Sequence, residues 1–215
     1  MAGFSGIVLF IVSFYATVNF YRMYSDSRKI IHFCLGTTAV FLAIIGISDL
    51  LATFFPILDP NFIDEWASVF SVSFLLSAAA ALIRDFKPVF SRFPRGLTFL
   101  PLTLILIYPL ILDTVVVKLW AVALYQGSAL FISLMIFGYK ANQNSAYGYV
   151  LVGVLFFLVT FVLFWLPRSL FTMPVYAWEL LTACGILIIT VGYNYVNNIE
   201  DDMLDHQKSR ETWFI

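Results

Sequence analysis

The amino-acid sequence predicts an all-α integral membrane protein, a bundle of seven transmembrane helices with its N-terminus outside and its C-terminus in the cytoplasm. Three observations carry that prediction. Of 215 residues, 61% are hydrophobic and only 12% charged. A soluble domain is roughly a quarter charged, so too few charges remain here to cover a water-facing surface. Trp66 opens the run WASVFSVSFLLSAAAALI, which contains no charge and is about long enough to cross a bilayer core as a helix. Directly behind it, RDFKPVFSRFPR carries Arg84, Lys87, Arg92 and Arg95, and basic clusters of this kind are retained on the cytoplasmic side.

The spans follow outward from that junction. Span one is about Phe4 to Tyr21. It has no basic residue before its apolar run, so it reads as a first transmembrane helix rather than a signal peptide. Span two is about Ile30 to Phe55, stopped by Pro56, and the loop ILDPNFIDE after it is acidic. Span three is about Trp66 to Ile83, and its LLSAAAAL stretch is a small-residue face suited to close helix packing. Span four, about Leu97 to Leu112, is short and holds Pro101 and Pro109, so a kink is expected. Span five is about Leu119 to Tyr139, span six about Tyr149 to Leu166, and span seven about Val175 to Val196. Residues 1–198 thus form one transmembrane domain, and residues 199–215 a polar cytoplasmic tail. The helix of span seven is expected to end near Glu200.

Seven spans put the termini on opposite sides, and the basic residues choose between them. Arg22, Arg28, Lys29, Arg84, Lys87, Arg92, Arg95, Lys140, Lys208 and Arg210 fall on one side, which leaves Lys118 and Arg168 for the other. That bias places the C-terminus in the cytoplasm. The acidic tail does not alter it, because carboxylates weigh little in this rule. A plasma membrane or a bacterial inner membrane is the expected location.

Spans two and six end in FFP and FWLP, and each is followed by a second proline and then a tryptophan, Trp66 or Trp178. Parallel three-helix repeats of this kind occur in small transporters. The simpler explanation is that proline and aromatics favour span ends.

Two carboxylates lie inside spans. Asp49 is about six residues from the outer end of span two, and Glu179 about five residues into span seven from the same side. A carboxylate at such depth is a functional candidate. If the two meet, they cannot both ionise comfortably and can share a proton. Lys118 and Arg168, the basic residues of the outer face, are the available counter-charges. The structural alternative has Asp49 cross-linking helices through neighbours such as Ser48, and Glu179 snorkelling to the interface. On the inner side, Asn19, Tyr21, His32, Tyr193, Asn194 and Tyr195 fall near one level. They read either as a polar vestibule or as the interfacial aromatic belt, with His32 a boundary residue.

Several chemistries are excluded. Two histidines, one of them His206 in the tail, cannot clamp a haem within the membrane. The chain has no HExxH, GxSxG, CxxC or phosphate-cradling glycine loop. No enzyme activity, cofactor or metal is therefore expected. Cys34 and Cys184 lie in apolar runs and behave as small hydrophobes. A net charge of -1 gives no case for nucleic acid. The partners expected are the lipid bilayer and a protein at the basic loops or the tail.

In architecture the chain resembles the seven-helix receptors and rhodopsins, although span seven has no lysine for a retinal Schiff base. It is also similar to small sugar transporters built from two three-helix bundles, without their Pro-Gln signature. Two functional readings follow. One is a sensory, receptor-like or scaffold module with a polar site in the outer half. The other is a small-solute or proton-coupled transporter. Few polar residues lie mid-span in spans one, five and six, chiefly Ser13, Thr17, Gln126, Ser128 and Thr160, and this favours the first.

Overall fold

A computed structural model describes residues 2–54, 60–107, 115–165 and 177–212 of the chain. It is helical throughout the described residues, with no strand among them. The helices are α1 (Ala2–Ser27), α2 (Ile30–Phe54), α3 (Pro60–Phe86), α4 (Pro88–Ser91), α5 (Leu100–Ile107), α6 (Val115–Gln143), α7 (Gly148–Trp165) and α8 (Ala177–Thr212). Six of them, α1, α2, α3, α6, α7 and α8, are long and apolar enough to cross a membrane. The chain is a multi-pass membrane protein.

The fourth expected span is described as a 3-10 turn, Arg95–Phe99, followed by α5. Residues 108–112 of that expected span lie outside the described residues. Pro101 sits in the first turn of α5, where its missing N–H removes no helical bond. The change from 3-10 to α-helix occurs just before it. Pro109 lies outside the described residues.

The six long helices close into a ring. α1 packs on α2, α2 on α3, α3 on α6, α6 on α7, α7 on α8, and α8 returns to α1, while α5 lies against α3. Two crossings are close enough to need glycine. A Cβ at Gly46 would lie 2.7 Å from the Gly6 carbonyl oxygen and 2.7 Å from the Phe10 nitrogen, so α1 and α2 meet backbone to backbone. A Cβ at Gly153 would lie 2.8 Å from the Gly185 oxygen, and α7 meets α8 in the same way. In lipid, van der Waals packing of this kind drives association, because tails are as apolar as leucine. The alanine stretch of span three packs inward, with Ala78, Ala79 and Ala81 buried.

Polar contacts join the remaining helices. The Tyr125 hydroxyl on α6 lies 2.5 Å from the Ser73 hydroxyl on α3 and 3.3 Å from the Pro101 carbonyl oxygen. Gln126 donates to Ser68 at 3.0 Å. Asn19 on α1 donates to Asn194 on α8 at 3.0 Å.

Two expectations change. The last helix does not end near Glu200 but runs to Thr212. His32 and Tyr193 are not an interfacial belt: both are fully buried, their rings edge to face at 5.8 Å, and Tyr147 and Phe20 pack on Tyr193. His32 is held by Ser27, whose hydroxyl lies 2.8 Å from Nδ1. Tyr195, by contrast, is exposed and fits the belt.

Candidate functional site

The first turn of α1, the last turns of α2 and the first turn of α8 converge at one end of the ring. Gly6 makes this possible. A Cβ there would lie 3.2 Å from the Asp49 Cβ, so its absence lets α1 ride directly over the aspartate. Asp49 and Glu179 lie within hydrogen-bonding reach of each other, and Ser5 reaches Glu179 from α1. A hydrogen bond between two carboxyl groups requires a proton on one of them, since an ionised carboxylate only accepts.

Glu179 does not snorkel. It is 2% exposed, and its Oε2 has no hydrogen-bond partner among the described residues. Its place in the first turn of α8 sets a carboxyl at the positive end of a helix dipole. Ser48 is not the cross-link expected of it: its hydroxyl is buried with no partner among the described residues. Asp49 is half-buried.

Asp64, near the start of α3, acts electrostatically on Glu179 and adds a third carboxylate to this end of the ring. Lys118, on the first turn of α6, is half-exposed and engaged by contacts of its own. Arg168 lies outside the described residues. No group of three or more metal-ligating side chains with metal-site geometry occurs among the described residues. Cys34 and Cys184 are both free thiols, one buried and one exposed.

Sequence reasoning missed Ser5 and the role of Gly6. The pair Gly6 and Gly46, in two successive spans, was the available signal for a close crossing. Its registration against Asp49 depends on how the helices are rotated.

Away from this end, several buried hydroxyls turn back on their own helices. Ser73 donates to Val69 O at 2.7 Å, Thr38 to Cys34 O at 3.0 Å, Ser133 to Ala129 O at 2.8 Å and Thr190 to Ile186 O at 2.7 Å. Thr38 also donates to the Ser71 carbonyl on α3 at 3.3 Å, and the Ser13 and Ser77 hydroxyls are buried with no partner among the described residues.

Comparison of the chain with protein families, with curated proteins and with solved structures gives no match.

Proposed function

We propose that this protein is a receptor-like sensory module. In this reading it takes up a proton or a small cation from the external side at the Asp49–Glu179 pair and passes the resulting helix shift to the opposite, cytoplasmic end. The observation that carries it is the carboxyl–carboxyl contact, which needs a proton or cation between the two groups. Asp64 strengthens the preference for positive charge. Ser5, Asp49 and Glu179 come from three helices, so a change in charge at the pair alters the packing of α1, α2 and α8 together.

The test uses the full chain in liposomes, with the proton as probe. Trp178 adjoins Glu179 in sequence, so tryptophan fluorescence reports on the site. A step in external pH should change the emission of the wild-type protein. Asp49→Asn and Glu179→Gln keep size and hydrogen-bonding capacity, so each should fold and abolish the change. A folded Asn variant with the wild-type response would sink the proposal.

One observation favours a transporter as a second reading. The ring is closed by α3 on α6 and by α8 on α1. If α1–α3 and α6–α8 are two copies of a three-helix unit, these are the same joint made twice, as in repeat-built transporters. A proton current across the liposome membrane that Asp49→Asn abolishes would select this reading over the sensor.

A further inference from the structure

The other end of the ring carries two adjoining cavities that the carboxyl site does not use. One, of about 350 Å³, lies between the α1–α2 turn, the end of α3 and the 3-10 turn. The other, of about 440 Å³, lies between α2, α3, α6 and α8. Both fall within the size range of small-molecule sites. Arg28, Lys29, Arg84, Arg95 and Lys140 line them, and Asp85 is the one carboxylate among the lining residues.

The backbone at Arg28 is informative. Its φ is 55°, and no other non-glycine described residue has a positive φ. This is the left-handed position that ends α1, where glycine is the usual residue and any other incurs strain. Glycine would serve the turn better; the arginine adds a charge there, with its guanidinium carbon 5.9 Å from the centre of the Tyr24 ring. Arg84 and Arg95 make no hydrogen bond or ion pair among the described residues, whereas Lys87 donates to the Tyr139 hydroxyl at 2.7 Å. Their guanidinium groups are available to an external anion.

The medium at the cavity mouth is also marked. Beside Arg95, Val89, Phe90, Phe93 and Leu97 are all exposed. Exposed apolar side chains alternating with Lys87, Arg92 and Arg95 are the composition of a segment suited to a membrane interface. A soluble phosphate needs no such apolar rim, but an acyl-chain-bearing one does. We infer that this end of the bundle binds the phosphate headgroup of an anionic phospholipid, held between Arg28, Arg84 and Arg95. Basic pockets between membrane helices hold anionic headgroups by the same chemistry, and guanidinium groups suit phosphate because they donate in pairs.

The test measures the thermal stability of the full chain in detergent, titrated with phosphatidylglycerol, with phosphatidylcholine and with inorganic phosphate. Phosphatidylglycerol should raise the melting temperature saturably, and the other two should not. Each arginine removed should weaken the apparent affinity about five-fold, so Arg84→Gln with Arg95→Gln should weaken it about thirty-fold. Arg28→Gly relieves backbone strain, so it should fold at least as well as wild type and still lose about five-fold. Arg92→Gln, outside both cavities, should bind as wild type. Arg28→Gly keeps the inference testable even if the double variant fails to fold. Equal stabilisation by phosphatidylcholine, or by inorganic phosphate alone, would overturn the inference. So would undiminished phosphatidylglycerol affinity in Arg28→Gly, or an equal loss in Arg92→Gln.

Discussion

At the scale of single residues, the absence of a side chain matters more than any hydrogen bond. A methyl group at Gly46 would meet backbone atoms of α1 at 2.7 Å, and backbone cannot rotate away as a side chain can. Gly46→Ala should therefore cost about 1–3 kcal/mol, the range for overpacking, and should also disturb the register of Asp49. Gly148 has nothing within 4 Å of its Cβ position and helical backbone angles. Gly148→Ala should be neutral, or gain up to about 1 kcal/mol in helix propensity. The Asn19–Asn194 bond is the comparison from the polar side. Interhelical hydrogen bonds in membranes average about 0.6 kcal/mol, so Asn194→Ala should cost less than Gly46→Ala. Thermal unfolding of the three variants in one detergent checks the order. Asparagine costing more than glycine would show that polar contacts, not close crossing, hold α1 in the ring.

At the scale of elements, α8 is the unusual one. It starts with a buried glutamate, crosses the ring through Gly185 and Gly192, and continues as helix to Thr212, well beyond its apolar span, which ends at Ile199. Its apolar part meets α1 at Asn194 and α7 at Gly185 and Gly192. Deleting residues 209–215 should leave membrane insertion and the melting temperature of the bundle unchanged. Loss of folded protein on this truncation would show that the end of α8 belongs to the core. The described part of α5 is held from two sides. It rests on α3 and is tied to α6 by the bond from Tyr125 to the Pro101 carbonyl.

At the scale of the whole molecule, the ring has two chemically distinct ends. One gathers Asp49, Asp64 and Glu179, and the other gathers Arg28, Lys29, Arg84, Arg95 and Lys140. Asymmetry of this kind sets orientation during insertion, and the expectation from the positive-inside rule is that the basic end stays in the cytoplasm. A reporter active only in the cytoplasm should therefore work when fused after Ile215 and fail when inserted between Asp59 and Glu65. Activity from the loop insertion instead would reverse the orientation, and with it the external access that the carboxyl site needs.

The sequence by itself determined that the chain is a set of long apolar helices suited to a membrane, and where most of them start. These are local properties: apolar length, proline and charge act on the segment that contains them. Only the tertiary structure decided that the two carboxyls meet, that Ser5 joins them, that Glu179 and His32 are buried, and that the last helix runs to Thr212. The reason is rotational. In α2 and α7 nearly every side chain is apolar, so the residues that face lipid look like those that face the ring, and periodicity gives no bearing. Gly6, Gly46, Gly153 and Gly185 set the close crossings that fix the rotation of each helix, and that rotation turns Asp49, Ser5 and Glu179 toward one another.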